Sequence, residues 1–353
     1  MTEKIDIKSL NFDELKELIA GMGGQGFRAK QIYSWIHQKG AVSFDEMTNL
    51  SKDFREKLNN SCIITSLKPV KVLTSKIDGT KKFLFELEDG NVIESVFMKY
   101  HHGNSVCIST QVGCRMGCRF CASTLDGLER NLKPSEMLDE IYEIQRISGE
   151  KVSNIVLMGS GEPLDNYENV RKFIDLVTDE NGQNISNRNI TLSTCGLVSK
   201  IYSLADEKKQ LTLAISLHAS NDRTRRELMP IANKYSIEEI LEACRYYFAK
   251  TGRRISFEYS LVAGVNDNLQ EAEELAGLLK GMNCHVNLIP VNPIRERTFQ
   301  RSDRQAVEQF QNYLIRKGIN ATIRREMGSD INGACGQLRK SYKESTDTKE
   351  GEE

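Results

Sequence analysis

Residues 105–121 read SVCISTQVGCRMGCRFC, an apolar run followed directly by three closely spaced cysteines. The apolar, β-branched composition of the first half is typical of a buried strand. The second half places Cys114, Cys118 and Cys121 in a C-x3-C-x2-C arrangement. Together the two halves predict a strand that ends in a loop carrying three thiols.

Strand and helix patterns alternate along the chain after this loop. We predict strands near residues 105–110, 153–158, 189–194, 211–217, 255–262 and 284–291. Helices with one apolar stripe are predicted over residues 135–147, 237–249 and 270–280. Six such units favour an α/β fold, a partial (β/α)6 barrel of parallel strands. Because these barrels carry their sites on the loops after the strands, we expect the chemistry of the chain there.

The N-terminal part of the chain follows other patterns. Residues 12–60 have apolar residues at helical spacing, with Asn11 placed to cap the first of two or three short helices. Residues 70–98 alternate with a period of two around Asp78-Gly79 and Asp89-Gly90, which predicts a three-stranded meander with tight turns. The expected organisation is a helical domain over 1–66, a β-meander extension over 67–102, the barrel over 103–338 and a disordered charged tail over 339–353.

The composition is that of an ordinary globular protein. Of 353 residues, 39% are hydrophobic and 27% charged, and the formal net charge is -1. No apolar run approaches the ~20 residues that span a bilayer, and the first residues do not resemble a signal peptide. Nine cysteines, an odd number, then indicate reduced thiols in a cytoplasmic protein rather than a disulfide framework. Because the net charge is near zero, an RNA partner would be held by local clusters of Lys and Arg.

The three thiols of the loop indicate a metal centre. Thiolates favour zinc or iron–sulfur clusters. A four-iron cluster on three cysteines keeps one iron open for another ligand, whereas zinc needs a fourth ligand from elsewhere in the chain. Incidental buried thiols are a third reading, although spacing this close is uncommon outside metal sites. The residues alone leave these alternatives open.

Polar residues follow several other predicted strands. Residues 158–163 read MGSGEP, and a carboxylate beside free carbonyls, as Glu162 and Gly161 would provide, suits an ammonium group. The later strands end at Ser193, Ser216, Leu217, His218 and Asn292. Taken singly, each is explained as well by an ordinary turn or loop end. Because the strands of a barrel end at the same mouth, we expect these residues to lie together in one site.

The cysteine triad after the first barrel strand resembles that of the radical S-adenosylmethionine (SAM) superfamily. The resemblance implies that the triad holds a [4Fe-4S] cluster whose open iron binds SAM, the source of a deoxyadenosyl radical. It implies that Gly161 and Glu162 meet the amino group of SAM. The remaining SAM contacts that it implies are Ser193, Ser216, Leu217, His218 and Asn292.

Three further residues point to one branch of this superfamily. Cys335 lies in the sequence DINGACGQL of residues 330–338, Cys107 in the first barrel strand, and Glu94 in the meander. A cysteine in a strand is ordinarily a small buried hydrophobic residue. With this set, however, the chain resembles, over nearly its full length, the bacterial radical SAM RNA methyltransferases that modify C2 of adenine. Cys195 and Ser160 depart from the usual pattern, outside the catalytic positions.

The resemblance implies a reaction on two sulfurs, because C2 of adenine has no lone pair that could attack the methyl of SAM. Cys335 takes a methyl group from one SAM and becomes S-methylcysteine, and a radical from a second SAM activates this methyl for addition to C2. Glu94 or Cys107 removes the C2 proton. Cys107 then attacks Cys335, so that a transient disulfide forms and the RNA is released.

The resemblance also implies partners. The substrates are an adenine of the peptidyl-transferase centre in 23S rRNA and the adenine 3' to the anticodon in tRNA, with the N-terminal helical domain assisting RNA binding. An electron donor such as flavodoxin or ferredoxin with a reductase, and a thiol reductant, are needed; the chain is expected to be a monomer without membrane contact. Arginines of the later loops are candidates for phosphate contact, with salt-bridged surface as the alternative: Arg223, Arg225, Arg226, Arg253, Arg254, Arg295, Arg297, Arg301, Arg304, Arg324 and Arg325.

Two rival functions stay open. The first is methylation of C8 of adenine in 23S rRNA, as in a relative that confers antibiotic resistance and shares every cysteine named here; residues 291–293 and the intact Gly-Glu-Pro loop favour C2. The second is a non-catalytic RNA-binding module stabilised by metal. About four irons per chain would support an enzyme, and one zinc would support the module.

Overall fold

The structure, a computed structural model, describes residues 4–101, 103–293 and 297–331. Its helices are α1 (Phe12–Gly21), α2 (Gly26–His37), α3 (Lys52–Ser61), α4 (Pro134–Ser148), α5 (Tyr167–Thr178), α6 (Val198–Asp206), α7 (Asp222–Leu228), α8 (Ile237–Thr251), α9 (Leu269–Leu278) and α10 (Arg304–Arg316). No helix among the described residues is long and apolar enough to cross a membrane.

The strands are β1 (Ile5–Asp6), β2 (Cys62–Ile63), β3 (Lys68–Thr74), β4 (Lys81–Glu86), β5 (Val92–Tyr100), β6 (Gly103–Cys107), β7 (Gln111–Gly113), β8 (Leu128–Asn131), β9 (Asn154–Leu157), β10 (Ile190–Thr194), β11 (Thr212–Ser216), β12 (Ile255–Leu261), β13 (Cys284–Pro290) and β14 (Ala321–Ile323). Ten of them form one sheet in the order β14-β13-β12-β11-β10-β9-β6-β5-β4-β3.

The barrel part of this sheet is parallel from β6 through β9 and β10 to β14. The predicted α/β class and the six predicted barrel strands are confirmed as β6, β9, β10, β11, β12 and β13. The short β14 is a seventh parallel strand that was not predicted. Since the strands are parallel, their C-terminal ends meet at one edge of the sheet.

The predicted meander is confirmed as β3, β4 and β5, which pair antiparallel. It is continuous with the barrel, because β5 also pairs with β6, from Val96 opposite Cys107 to Tyr100 opposite Gly103. The meander therefore extends the barrel sheet and brings residues of β5 beside the first barrel strand.

The N-terminal helices share a continuous apolar core with the barrel. Asn11 caps α1 as predicted: its side chain accepts the Glu14 amide at 2.9 Å, and the Glu14 carboxylate accepts the Asn11 amide at 2.8 Å. Just before α1 in the sequence, Lys8 forms a fully buried ion pair with Asp139 of α4, whose other carboxylate oxygen accepts the Leu67 amide at 2.6 Å. Separating two buried charges is costly, so this pair ties the N-terminal segment to the barrel.

Candidate active site

A cavity of about 340 Å³ lies at the C-terminal ends of the parallel strands, within the range of roughly 300–1,000 Å³ found for small-molecule sites. The predicted site residues that line it are Glu94, Cys107, Cys114, Cys118, Cys121, Gly161, Glu162, Ser193, Ser216, His218 and Asn292. Leu217 is fully buried and does not line the cavity. Cys335 lies outside the described residues.

The cysteine loop starts from a small hairpin of β7 and β8, which was not predicted. The Cys114 amide donates to the carbonyl of Gly127 at 2.7 Å. A Cβ on Gly113, where φ is +77°, would lie 2.0 Å from that carbonyl oxygen, so the approach requires glycine. Further along, the Arg119 amide donates to the carbonyl of Leu228 at the end of α7, at 2.9 Å. Backbone contacts thus fix the path of the loop.

Burial controls the protonation of the three thiols in this loop. It raises the pKa of Cys114 to about 12, that of Cys118 well above its usual range, and that of Cys121 as well. The thiols are therefore protonated without a metal, and a metal that binds them must displace the protons.

The donors suit an iron–sulfur cluster. Cys114, Cys118 and Cys121 all line the same cavity. Each thiolate of a four-iron cluster binds a different iron, so three cysteines can hold the cluster and leave one iron open for another ligand. Zinc would need a fourth ligand to complete its tetrahedral site.

The loop of residues 158–163 packs closely against the chain that follows β6. A Cβ on Gly159 would lie 2.6 Å from the carbonyl oxygen of Ile108. A Cβ on Gly161, where φ is +106°, would lie 2.6 Å from the Cβ of Gln111. These glycines let the loop lie against the residues that lead to the cysteines, so the two loops form one wall of the cavity.

Glu162 holds this wall together through its carboxylate. One oxygen accepts the Leu164 amide at 3.0 Å and the other accepts the Cys195 amide at 2.8 Å. Burial raises the pKa of Glu162, while the bonds from these amides favour the charged form. The side chains of Cys195 and Thr194 also hydrogen-bond to this carboxylate, which lines the cavity.

His218 presents a neutral imidazole to the cavity. Burial lowers its pKa to about 3, and its Nδ1 accepts the Ser260 amide at 2.9 Å, which leaves the ring proton on Nε2. Phe120 of the cysteine loop packs edge-on against the imidazole, with ring centroids 4.8 Å apart. On the neighbouring strands the hydroxyl oxygens of Ser193 and Ser216 lie 3.5 Å apart. These groups suit a polar organic ligand such as a nucleoside.

Another wall of the cavity contains a thiol and a carboxylate that belongs to a buried ion pair. Val96 of β5 lies opposite Lys82 on one side and opposite Cys107 on the other. Glu94 lies two residues before Val96, hence on the same face of the sheet. The distance from Lys82 Nζ to Glu94 Oε2 is 2.9 Å, and both side chains are buried. Burial raises the pKa of Cys107 to about 11. The predicted Glu94 and Cys107 therefore share one wall.

Sequence reasoning missed three polar residues at this site. Lys82 was not predicted to belong to the site. Its position on the inward face of a predicted strand is the feature that could have identified it. Cys195 lines the cavity near the cysteine loop. Glu258 of β12 also lines it, accepts the side-chain amide of Asn287 at 2.7 Å, and has a pKa that burial raises. A carboxylate inside the apolar strand of residues 255–261 could have indicated it.

The prediction that Arg225 contacts RNA is wrong. Its side chain is fully buried and donates to the carbonyls of Cys195 at 2.7 Å and Leu217 at 3.1 Å. The guanidinium joins two strand-end loops and does not reach the surface. Arg295 lies outside the described residues. The other described arginines of that set are exposed except Arg253, which is half-buried.

Comparison with known proteins was made on sequence and on structure. Residues 5–64 match the family described as ribosomal RNA large subunit methyltransferase N-terminal domain, and residues 108–279 match the radical SAM superfamily. The probable dual-specificity RNA methyltransferase RlmN of Lachnospira eligens is 64% identical over 98% of this chain and 99% of its own length. That of Lachnoclostridium phytofermentans is 61% identical over 98% and 97%. A crystal structure of a radical SAM methyltransferase from Sphaerobacter thermophilus is similar with a TM-score of 0.90 and 44% identity, covering 94% of this chain and 98% of that one.

Proposed function

Because this chain belongs to the RlmN family of dual-specificity RNA methyltransferases, we propose that it methylates C2 of adenine in 23S rRNA and in tRNA. One observation carries the proposal: Cys107 and Glu94 line the same cavity as the three-cysteine loop. Holding a cluster requires only the loop. An additional thiol and carboxylate in that cavity supply a nucleophile and a base for covalent chemistry.

The cofactors are a [4Fe-4S] cluster and SAM, as throughout the radical SAM superfamily. Cys114, Cys118 and Cys121 would hold the cluster, which with SAM supplies a deoxyadenosyl radical upon one-electron reduction. Glu162 and the carbonyl of Gly161 would accept hydrogen bonds from the SAM amino group. Around the rest of SAM we place Ser193, Ser216, His218 and Asn292. Leu217, which the resemblance also assigns to SAM, stands between Ser216 and His218 in the sequence, but its side chain is buried and does not line the cavity.

Cys335 is assigned the role of methyl carrier. Its thiolate attacks the methyl carbon of one SAM, so that a new S–C bond replaces the bond to the sulfonium sulfur and S-adenosylhomocysteine leaves; the thiol proton goes to solvent. The deoxyadenosyl radical that the cluster and a second SAM would supply would take one hydrogen atom from the S-methyl group of Cys335, so that this carbon would add to C2 of adenine and RNA would become linked to Cys335.

Cys107 and Glu94 are assigned to the release of RNA. The radical adduct would give up one electron, for which the cluster oxidised in cleaving the second SAM would be the acceptor, and its C2 proton passes to Glu94 or Cys107. The Cys107 thiolate then attacks the sulfur of Cys335: the S–S bond forms, the S–C bond breaks, and its electron pair takes up a proton to complete the methyl group. Because burial raises the pKa of Cys107 to about 11, its thiol needs a base, and Glu94 lies on the same face of the sheet. A thiol reductant restores both thiols.

RNA contact is assigned to the exposed Arg301 and Arg324, which line the cavity mouth, and to the N-terminal residues 1–66. We place the remaining boundaries at 67–102 for the meander and 103–338 for the barrel with its catalytic C-terminal loop. The electron donor would be flavodoxin or ferredoxin with a reductase. The chain would act as a monomer in the cytoplasm.

The experiment that tests this function is mass spectrometry of nucleosides from 23S rRNA and tRNA of cells with and without the gene. We expect 2-methyladenosine in both RNAs to depend on the gene. Appearance of 8-methyladenosine instead would establish the C8 alternative. No change in either nucleoside would favour the RNA-binding module.

A further inference from the structure

The turn between β3 and β4 binds the segment that leads to Cys335. Asp330 accepts the Ser75 hydroxyl at 2.6 Å and the Lys76 amide at 2.9 Å through its two carboxylate oxygens. Asp78 accepts the Gly328 amide at 2.9 Å. These three bonds join residues more than 249 positions apart, and no prediction from the sequence included them. We call this set of five residues the hairpin clamp.

The contacting side chains of the hairpin also build the turn itself. The second oxygen of Asp78 accepts the Thr80 amide at 3.0 Å, and the Ser75 hydroxyl oxygen accepts the Ile77 amide at 3.1 Å. Gly328 has a φ of +61°, and a Cβ there would lie 3.1 Å from the Cγ2 of Thr80. The turn is thus shaped before the segment binds, and the segment follows its surface closely.

The two carboxylates of the clamp are charged near neutral pH. The Gly328 amide lowers the pKa of Asp78 to about 2, and the Ser75 hydroxyl and Lys76 amide lower the pKa of Asp330. A lowered pKa in the folded chain means that the bonds weaken only as the pH falls toward that value. Both carboxylates therefore remain charged acceptors under the conditions in which RNA is modified.

The clamp shortens the chain between Cys335 and its last fixed point. Arg324, whose amide donates to the Leu288 carbonyl at 2.8 Å, is the preceding backbone anchor. Cys335 lies eleven residues after Arg324, seven after Gly328 and five after Asp330. Glu326 and Met327 line the cavity, so the segment passes the site just before it reaches the clamp.

We propose that the hairpin clamp is a positioning device that holds the carrier cysteine near the cavity, with Asp330 as its principal residue. This rests on the proposed role of Cys335. The local concentration of a tethered group falls roughly as the −3/2 power of tether length. Lengthening the tether from five to seven residues should therefore lower the local concentration about 1.7-fold, and lengthening it to eleven about threefold.

The test uses the full chain with its cluster and methyl-labelled SAM, in the absence of RNA, and follows label on the peptide that contains Cys335. Asp330→Asn should slow labelling about 1.7-fold, because an amide faces two donors while the Gly328 bond remains. The double variant Asp330→Asn with Asp78→Asn should slow labelling about threefold relative to the wild type. Asp78→Asn alone should have no effect, because Asp330 still anchors the segment. Asp78→Asn therefore serves as the control for damage to the turn. Ser329→Ala, at an exposed position, serves as the control for a substitution within the segment.

Iron content and SAM affinity should match the wild type in all four variants. Equal rates in the wild type and the double variant would overturn the proposal, as would an equal loss in Asp78→Asn and the double variant. Amide hydrogen exchange measures the clamp contacts independently of methyl transfer. The backbone amides of Gly328 and Lys76 should exchange at least about tenfold faster in the double variant than in the wild type. If the wild type carries no label on Cys335, the carrier role fails, while exchange still reports whether the clamp exists.

Discussion

Two walls of the cavity are built in different ways. The cofactor wall consists of the cysteine loop, the 158–163 loop and the ends of the later barrel strands; its positions are set by backbone amides, by Glu162 and by glycines that permit close approach. The sulfur wall consists of Glu94 and Cys107, which come from neighbouring strands and are held by strand register and by the buried ion pair between Glu94 and Lys82.

The difference indicates which part of the chain serves a general purpose and which serves this reaction. The cofactor wall is made of short local motifs, as a site for a common cofactor requires. The sulfur wall exists only because the meander continues the barrel sheet and places β5 beside β6. A change in the cofactor wall should therefore remove all chemistry, whereas a change in the sulfur wall should leave cofactor binding intact.

The largest effect is expected in the cofactor wall. Cys114→Ala should abolish cluster binding and all methylation, because two remaining thiolates hold a four-iron cluster poorly. Iron and sulfide analysis after anaerobic reconstitution measures this. Cys244→Ala, which removes a buried thiol of α8 outside the cavity, is the matched control and should keep its iron. Wild-type iron content in Cys114→Ala would refute the assignment.

The next effect concerns the ion pair of the sulfur wall. Lys82→Met should lower the free energy of unfolding by about 3–5 kcal/mol, because it removes the cation of a buried ion pair. Denaturant unfolding measures this value. Lys82→Met combined with Glu94→Leu should recover most of the loss, since no charge then remains buried. If the single variant were as stable as the wild type, the pair would not hold this wall together.

A smaller loss of folding stability is expected when the pH is lowered. His218 in the cofactor wall and His37 in α2 both have a pKa that burial lowers to about 3. In the folded chain they stay neutral, whereas in the unfolded chain they take up protons below about pH 6.5. Stability is thus complete above that pH and falls below it, by about 2 kcal/mol per histidine at pH 5.

The acid effect can be assigned by substitution. His37→Gln should remove about half of the difference in unfolding free energy between pH 7 and pH 5 that the two histidines cause, with SAM binding at pH 7 unchanged. His218→Gln should remove a similar amount and also weaken SAM binding. An unaltered pH dependence in both variants would mean that neither histidine is held neutral by the fold.

The sequence predicted the cofactor wall better than the sulfur wall. Cys114, Cys118, Cys121 and Glu162 stand in compact motifs after strands whose apolar patterns are clear, so their convergence follows from parallel topology. Glu94 and Cys107 were predicted only through a family resemblance. Their shared face depends on the pairing of β5 with β6, which periodicity does not specify.

The errors have a common physical cause. Lys82 and Arg225 carry charges that usually lie in solvent, and only long-range contacts make their burial favourable: Glu94 for the first and strand-end carbonyls for the second. Strands β7, β8 and β14 are only three or four residues long, too short for a periodic pattern to predict them. Local patterns therefore failed wherever distant segments decide the environment of a residue.

The proposed mechanism requires that Cys107 acts only after the methyl carbon has been added to C2 of adenine. The variant Cys107→Ala tests this order most directly. The variant should bind its cluster and SAM and complete the addition to C2, but with no second sulfur to attack, RNA should stay bound to Cys335. Purified from cells and digested with ribonuclease, it should yield a methylene-bridged adenine on the peptide that contains Cys335, and Cys107→Ala with Cys335→Ala should yield none. Free, fully methylated RNA from the single variant, with no adduct on that peptide, would contradict the account.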